Sequence, residues 1–238
     1  MDPLIALLAA VAGYLLGSIS FARIGTRLAA PQVDVTRTEM VIPGTDQKMP
    51  FMAVSGTAVS LHLGPKLGMF TAALDMLKVA LPTLAFRIWY PGTHYFLIAA
   101  LAGVIGHNWP VYYRFKGGRG LSAIYGGLFA IDWIGVFATG FGGMILGLVF
   151  IRNVVVSYLA GMWLMIPWLW FRTHDLGHLI YAIAVNVIFT VAMIPEIRMI
   201  RDYERRGIKA DMAAGMDMTP MGRMISKMAN RWGLLKKP

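Results

Sequence analysis

Residues 3–23 read PLIALLAAVAGYLLGSISFAR, a stretch in which no charged side chain intervenes between Asp2 and Arg23. A helix needs about 20 apolar residues to cross the hydrocarbon core of a bilayer, so this stretch predicts a membrane-spanning helix. A secretory signal peptide begins with basic residues, whereas Met1, Asp2 and Pro3 carry no positive side chain. We therefore expect the helix to be retained in the membrane.

The composition extends this prediction along the chain. Of the 238 residues, 57% are hydrophobic and only 14% are charged, whereas a soluble domain carries roughly 25% charged residues. Further apolar segments are predicted at residues 67–88, 94–113, 120–133, 135–151, 154–171 and 177–195. We predict an all-α fold, a polytopic integral membrane protein with about seven transmembrane helices. The segment 120–133 is short for a full span, and the alternative is one long bent helix over 120–151, which would give six spans.

The distribution of basic residues favours seven spans over six. Nineteen of the 22 Lys and Arg residues fall in loops and a tail that seven spans place on one side of the membrane, at residues 23–66, 112–120, 151–154 and 195–238. Only Arg87 and Arg172 fall in loops on the other side. Because basic loops are retained in the cytoplasm, we expect the N-terminus outside and the C-terminus in the cytoplasm.

Charge and cysteine content narrow the classes of function. The net charge of +10 lies beside apolar segments, which favours anionic lipid and phosphorylated substrates over nucleic acid as partners. The chain has no Cys, which excludes disulfides, thiolate metal sites and a Cys nucleophile. The acidic residues are scattered along the chain, so we expect neither a metal site nor a cofactor.

The chain divides into two parts by composition. We predict a membrane domain over residues 1–206 and a basic cytoplasmic tail over 207–238. An interfacial helix around residues 221–235 and a disordered tail are both compatible with the sequence of the tail.

The most informative loop is residues 106–120, GHNWPVYYRFKGGRG. Gly117, Gly118 and Gly120 let backbone amides approach a ligand closely, and a predicted helix begins just after them with its positive dipole end toward the loop. Lys116 and Arg119 add two positive charges. This combination is typical of a phosphate site. The residues alone leave open a flexible turn with ordinary topogenic charges.

Asp75 and Lys78 are two charged residues inside the second predicted span. At a spacing of i, i+3 they can pair on one face of a helix, which offsets the cost of placing a charge in the membrane. A structural ion pair and a functional one are both compatible with this pattern. At the end of the first span, the small residues Gly17 and Ser18 predict close helix packing.

Gly106-His107-x-x-Pro110, followed by Phe115-Lys116-Gly117-Gly118-Arg119-Gly120, resembles the signature of the acyl-phosphate-dependent glycerol-3-phosphate acyltransferases, the PlsY type. Agreement extends to Gly17-Ser18-Ile19, Asp34-Val35 and Leu74-Asp75-x-x-Lys78. The resemblance implies a seven-span enzyme of a prokaryotic cell membrane that serves phospholipid biosynthesis. Such an enzyme moves a fatty acyl group from acyl phosphate to the 1-hydroxyl of glycerol 3-phosphate, giving lysophosphatidic acid. It also implies that residues 116–120 bind phosphate.

The chain departs from the family pattern at several substrate contacts. In the first loop only Ser55, Gly56 and Thr57 match remnants of a longer motif, and Leu61 stands where the family has Arg. Near the end of the last span, Met193 and Glu196 stand where the family has His and Asn.

These matches and departures lead to a set of candidate residues. The resemblance implies catalytic roles for Ser55, Thr57, His107 and Ser157, supported by Asp75, Lys78 and Arg152, although for His107 a structural role is favoured. Arg37 or His62 would substitute for the missing Arg. The alternative hypothesis is a membrane protein that keeps the phosphate loop but is non-catalytic or uses another acceptor. A transporter is disfavoured because the sequence shows no inverted repeat.

Overall fold

The computed structural model describes residues 1–41 and 48–206 and, in the tail, only residues 227, 228, 231 and 233. The predicted interfacial helix over 221–235 lies almost entirely outside these residues. The helices are α1 Pro3–Gly17, α2 Phe21–Ala29, α3 Gly56–Leu63, α4 Pro65–Trp89, α5 Tyr95–Asn108, α6 Leu121–Ile131, α7 Trp133–Ile145, α8 Val154–Thr173 and α9 Leu176–Arg205. A 3-10 turn covers Val111–Tyr113, a π-helical segment covers Leu146–Ile151, and two strands, β1 Thr38–Val41 and β2 Lys48–Phe51, complete the set.

Apolar helices occupy all seven predicted segments, so the polytopic α-helical membrane fold is confirmed. Among the described residues, four helical stretches are long and apolar enough to cross a membrane by themselves: Pro3–Ala29, Pro65–Trp89, Trp133–Ile151 and Leu176–Arg205. The short fourth segment forms α6, which has 11 residues. Asp132 separates α6 from α7 and caps α7 by accepting a hydrogen bond from the Ile134 amide at 3.2 Å. A single bent helix over 120–151 is therefore not formed.

The long first loop holds the main departure from an all-α fold. Strands β1 and β2 form an antiparallel hairpin in which Thr38 pairs with Phe51 and Val41 with Lys48. The loop also contains α3, and the first predicted span breaks after Gly17 before continuing as α2. Four-residue strands are too short to show a distinct hydrophobic period, so sequence reasoning missed the hairpin.

Glycines bring α1 and α5 into backbone contact. A Cβ atom added at Gly13 would clash with the carbonyl of Ala99, and one added at Gly17 would clash with the carbonyl of Gly103. Gly106 lies equally close to the carbonyl of Tyr14. Such close approach allows tight van der Waals packing between the two helices. This packing matters in a membrane, because lipid is as apolar as the helix surfaces and hydrophobic burial contributes little to helix association. The packing role predicted for Gly17 agrees with this geometry.

The core sits around α5, whose Ala99, Ala100 and Val104 are fully buried, with Leu128 of α6 and Val185 of α9 against it. At the end of the bundle away from the glycine-rich loop, Arg87 of α4 donates to the carbonyls of Ala130 and Ile131 at 2.6 and 2.8 Å. These carbonyls belong to the last turn of α6, where no intrahelical partner exists. Arg87 therefore completes the C-terminal end of this short helix.

Candidate functional site

The glycine-rich loop, residues 109–120, connects α5 to α6 and folds back on the end of α5. Arg114 and Phe115 adopt left-handed backbone conformations, with φ of 52° and 59°, which are uncommon for residues other than glycine. The Phe115 amide donates to the Pro110 carbonyl at 3.0 Å, and the Gly118 amide donates to the His107 carbonyl at 3.1 Å. These bonds hold the loop in one conformation against α5.

The glycines of this loop serve close packing as well as ligand approach. A Cβ at Gly117 would clash with the His107 carbonyl, and one at Gly118 would clash with the His107 ring. At Gly120 it would lie 2.6 Å from Asn108 Oδ1, and this residue also has a φ of 88°. The Gly118 amide already donates a hydrogen bond to the His107 carbonyl. A bound anion would therefore contact the side chains of the loop and the amides at the start of α6.

Asp75 and Lys78 form a buried ion pair beneath the loop. Lys78 Nζ lies 2.8 Å from Asp75 Oδ1, and the two side chains are 4% and 3% exposed. Lys78 also donates to the Ile19 carbonyl at 2.6 Å, at the break between α1 and α2. His107 Nδ1 lies 3.7 Å from the same carboxylate oxygen. This cluster ties α1, α4 and α5 together, and the burial of His107 under Gly118 favours the structural role for that histidine.

The first loop reaches the glycine-rich loop through the start of α3. The Val54 amide donates to the Gly117 carbonyl at 3.0 Å. Ser55 follows as the N-cap residue of α3, and its hydroxyl makes no capping hydrogen bond. Ser55 and Thr57 are both partly exposed. The chain next to Ser55 therefore contacts the glycine-rich loop, but neither Ser55 nor Thr57 lines the cleft described below, and their catalytic roles stay predictions.

A small cleft lies between these elements. Its lining consists of Gly17, Ser18, Ile19, Ser20, Val54, Asp75, Lys78, His107, Pro110 and Gly117. Asn108 of α5 is only 3% exposed. Both polar atoms of its side chain are buried and have no hydrogen-bond partner among the described residues. A buried amide without a partner is unusual, and its place beside Gly120 and the start of α6 suits an ordered water or a ligand oxygen.

Sequence reasoning missed Arg23, which it counted only as a topogenic charge. The guanidinium donates to the Lys116 carbonyl at 2.6 Å and to Ser20 Oγ at 3.3 Å. It also stacks 4.5 Å from the centre of the Tyr113 ring. Lys116 itself is exposed. Arg23 therefore fixes the backbone at Lys116 while adding a positive charge to the same surface.

The second loop cation, Arg119, is paired. Its Nε lies 2.7 Å from Glu196 Oε2 on α9, and the two side chains are 18% and 11% exposed. Arg119 Nη2 is buried without a partner among the described residues. Glu196 follows Pro195 within α9. The departure at position 196 thus places a carboxylate against the loop, where it offsets one of the loop's positive charges.

The remaining candidates lie in other surroundings. Arg37 pairs with Asp34 at 3.4 Å on the surface, and His62 lies 3.0 Å from Thr38 Oγ1. Neither of them lines the cleft, and neither has a contact with the glycine-rich loop like that of Arg23 with the Lys116 carbonyl, so their role as substitute cations stays a prediction. Arg152 is an exposed left-handed residue after the π-helical segment. Buried Ser157 packs against Gly147 of that segment, and its catalytic role stays a prediction.

Comparison with known proteins agrees with this geometry. A family model described as glycerol-3-phosphate acyltransferase matches residues 7–205. The chain belongs to the glycerol-3-phosphate acyltransferase family. A family member from Pelagibacter ubique is 33% identical over 154 residues, which cover 64% of this chain and 67% of that protein. One from Dehalococcoides mccartyi is 27% identical over 224 residues, or 84% of this chain and 94% of that protein.

A solved structure of the family shares the fold. The crystal structure of PlsY, an integral membrane glycerol 3-phosphate acyltransferase, in its glycerol 3-phosphate form, superposes with a TM-score of 0.66 and 26% identity. The match covers 81% of this chain and 90% of PlsY. The resemblance that the glycine-rich loop indicated is thereby confirmed, and the range matched by the family model, residues 7–205, includes both Arg119 and Glu196.

Proposed function

We propose that this protein transfers a fatty acyl group from acyl phosphate to the 1-hydroxyl of glycerol 3-phosphate, giving lysophosphatidic acid and phosphate. Membership of the family and the glycerol 3-phosphate form of the PlsY structure support glycerol 3-phosphate as the acyl acceptor. The observation that carries the proposal is the contact between Val54 and Gly117. This contact joins the first loop to the glycine-rich loop at the start of α6, over the buried Asp75–Lys78 pair.

The reaction needs few catalytic groups because acyl phosphate is already activated. The acceptor oxygen bonds to the acyl carbon, the bond from that carbon to the phosphate oxygen breaks, and the hydroxyl proton passes to a phosphate oxygen. Positioning and charge stabilisation supply most of the rate in such a transfer. In this proposal Lys116 and the start of α6 hold phosphate, and Ser55 and Thr57 orient the substrates.

The arrangement in the membrane follows from the basic loops. We place the glycine-rich loop in the cytoplasm, where glycerol 3-phosphate is soluble, with the acyl chain entering from the bilayer. The positive-inside distribution of Lys and Arg supports this orientation in a prokaryotic plasma membrane. In this proposal the catalytic domain comprises residues 1–206, and we predict that the basic tail over 207–238 is on the cytoplasmic side of the membrane.

The test uses the purified protein in detergent with long-chain acyl phosphate and glycerol 3-phosphate. We expect lysophosphatidic acid and one released phosphate per turnover. Lys116→Ala should reduce kcat/KM about 10- to 100-fold, because a hydrogen bond to a charged group contributes roughly 1.5–3 kcal/mol. The matched control is Lys48→Ala, since Lys48 is an exposed lysine on β2. Equal activity of the two variants would argue against the phosphate role of Lys116.

Glu196→Gln tests how the paired carboxylate affects the acceptor. Gln keeps the shape of the side chain but removes the charge beside Arg119, so the guanidinium becomes free to attract phosphate. We expect the KM for glycerol 3-phosphate to fall about tenfold, which corresponds to about 1.4 kcal/mol, with little change in kcat. Glu204→Gln, an exposed site on the same helix, is the control. An unchanged or higher KM in Glu196→Gln would contradict this role.

The second candidate function is binding of a phosphorylated ligand without this transfer, or transfer to another acceptor. Leu61, Met193 and Glu196 favour it, because they replace three polar substrate contacts of the family pattern. It predicts that the detergent-solubilised protein binds lysophosphatidic acid while releasing no phosphate from acyl phosphate with glycerol 3-phosphate. Turnover with glycerol 3-phosphate would rule this candidate out.

A further inference from the structure

Three side chains with metal-binding atoms converge at the end of α5 that lies away from the glycine-rich loop. His94 precedes α5, Asp175 precedes α9 and His178 lies in the first turn of α9. His178 Nδ1 is 2.7 Å from Asp175 Oδ1, and His94 Nε2 is 3.0 Å from the same oxygen. One ligand atom from each residue lies within 4.8 Å of the other two. A single ion can therefore reach all three residues with small side-chain movements.

The surroundings leave room for an ion and its water. The cluster borders a pocket of about 360 Å³ between the α4–α5 loop and the α8–α9 junction. The side chains of His94, Asp175 and His178 are 42%, 34% and 15% exposed, so solvent reaches the cluster. The ring of Phe96 packs against His178, with the two ring centres 5.6 Å apart. The nearby cation Arg87 is committed to the carbonyls at the end of α6.

The sequence led us to expect no metal site, but this geometry differs from that expectation. We propose that His94, Asp175 and His178 form a binding site for a divalent transition-metal ion of the Zn²⁺ type. Two imidazole nitrogens and one carboxylate oxygen are a ligand set that Zn²⁺ takes, with a fourth position open to water. The two rings lie 6.0 Å apart at an angle of 83°, so they approach the carboxylate from different directions. The ion would occupy the space between the imidazoles and the carboxylate that hydrogen bonds now span.

Such a site would serve the fold at this end of the bundle. It would tie the loop before α5 to the start of α9, two elements that are otherwise joined here by side-chain hydrogen bonds. No residue of the proposed phosphate site takes part, so the metal site is independent of acyl transfer. Without a metal, the same three residues would form only a hydrogen-bonded triad, and the experiment distinguishes these two states.

The test measures Zn²⁺ binding to the full-length, metal-stripped protein in detergent, with any affinity tag removed, by competition against a chromogenic chelator. We expect one tightly bound Zn²⁺ per chain and a higher Tm in the presence of Zn²⁺. His94→Gln and His178→Gln should each weaken binding at least tenfold. His174→Gln is the matched control, because His174 is an exposed neighbour of Asp175 that packs on Trp170 instead, and we expect it to bind as the wild type does.

A second readout keeps the result independent of folding. Cu²⁺ bound to the wild type should show coupling to two imidazole nitrogens in electron paramagnetic resonance, and His178→Gln should show coupling to one. Acyl transfer measured on the same samples should be unaffected by His178→Gln, so loss of zinc binding and loss of activity remain distinguishable. Wild-type zinc binding no tighter than that of the His94→Gln/His178→Gln double variant would overturn the proposal.

Discussion

Replacing Lys78 with methionine is expected to lower the free energy of unfolding by about 3–5 kcal/mol, because it leaves the Asp75 carboxylate buried without its cation. The two side chains are 2.8 Å apart and almost fully buried. The substitution also removes the hydrogen bond to the Ile19 carbonyl, which lies at the break between α1 and α2. The measurement is a denaturation midpoint in mixed detergent micelles, followed by tryptophan fluorescence.

A surface pair provides the control for Lys78. Arg37→Met removes the cation from the exposed Asp34–Arg37 pair, and exposed pairs contribute only about 0–1 kcal/mol. The double variant Asp75→Leu/Lys78→Met should recover much of the lost stability, because a buried pair can often be replaced by apolar groups of similar size. If Lys78→Met is no more destabilising than Arg37→Met, the ion pair is not the structural element that its burial indicates.

Gly118→Ala is expected to reduce kcat/KM for acyl transfer by about 100-fold or more. The new methyl group would clash with the imidazole of His107, and that ring is buried between the loop and the Asp75–Lys78 pair. The loop must therefore move outward, and a displacement of about 1 Å in a positioning element can cost about 100-fold in rate. Both kcat and KM should change, because Lys116 and Arg119 move with the backbone.

Gly140→Ala on α7 is the matched control, because nothing lies within 4 Å of the added Cβ. It should retain wild-type activity and stability. Measuring thermal stability of both variants separates a displaced loop from a failure to fold. Wild-type activity in Gly118→Ala would show that the loop tolerates displacement, and would refute the close-packing role assigned to Gly118.

Local sequence patterns were sufficient to predict the membrane architecture. A long apolar run indicates that placing the segment in lipid is favourable. The transfer free energy depends mainly on the residues of that segment. The apolar helices at the seven predicted segments, the short α6 and the i, i+3 pair of Asp75 with Lys78 are all features of this kind. The hairpin β1–β2 was missed because its strands are only four residues long.

The glycine-rich loop was recognised from sequence, but the reason for its glycines was only half predicted. Ligand approach was foreseen, since backbone without Cβ atoms next to cations is a local signal. The packing of Gly117 and Gly118 against His107 depends on how the loop turns back on α5. In that turn Arg114 and Phe115 adopt a left-handed backbone conformation. This conformation cannot be predicted from the two residue types.

By itself, then, the sequence determined the class of protein, the positions of about seven apolar segments, the family and the loop that is expected to bind phosphate. Only the tertiary structure decided which distant residues meet that loop and what surrounds it. Glu196 reaches Arg119 across 77 positions, and Arg23 reaches Lys116 across 93. The His94–Asp175 contact spans 81 positions. These pairs form where helices cross and loops close, and helix crossings depend on packing between faces that no single segment encodes.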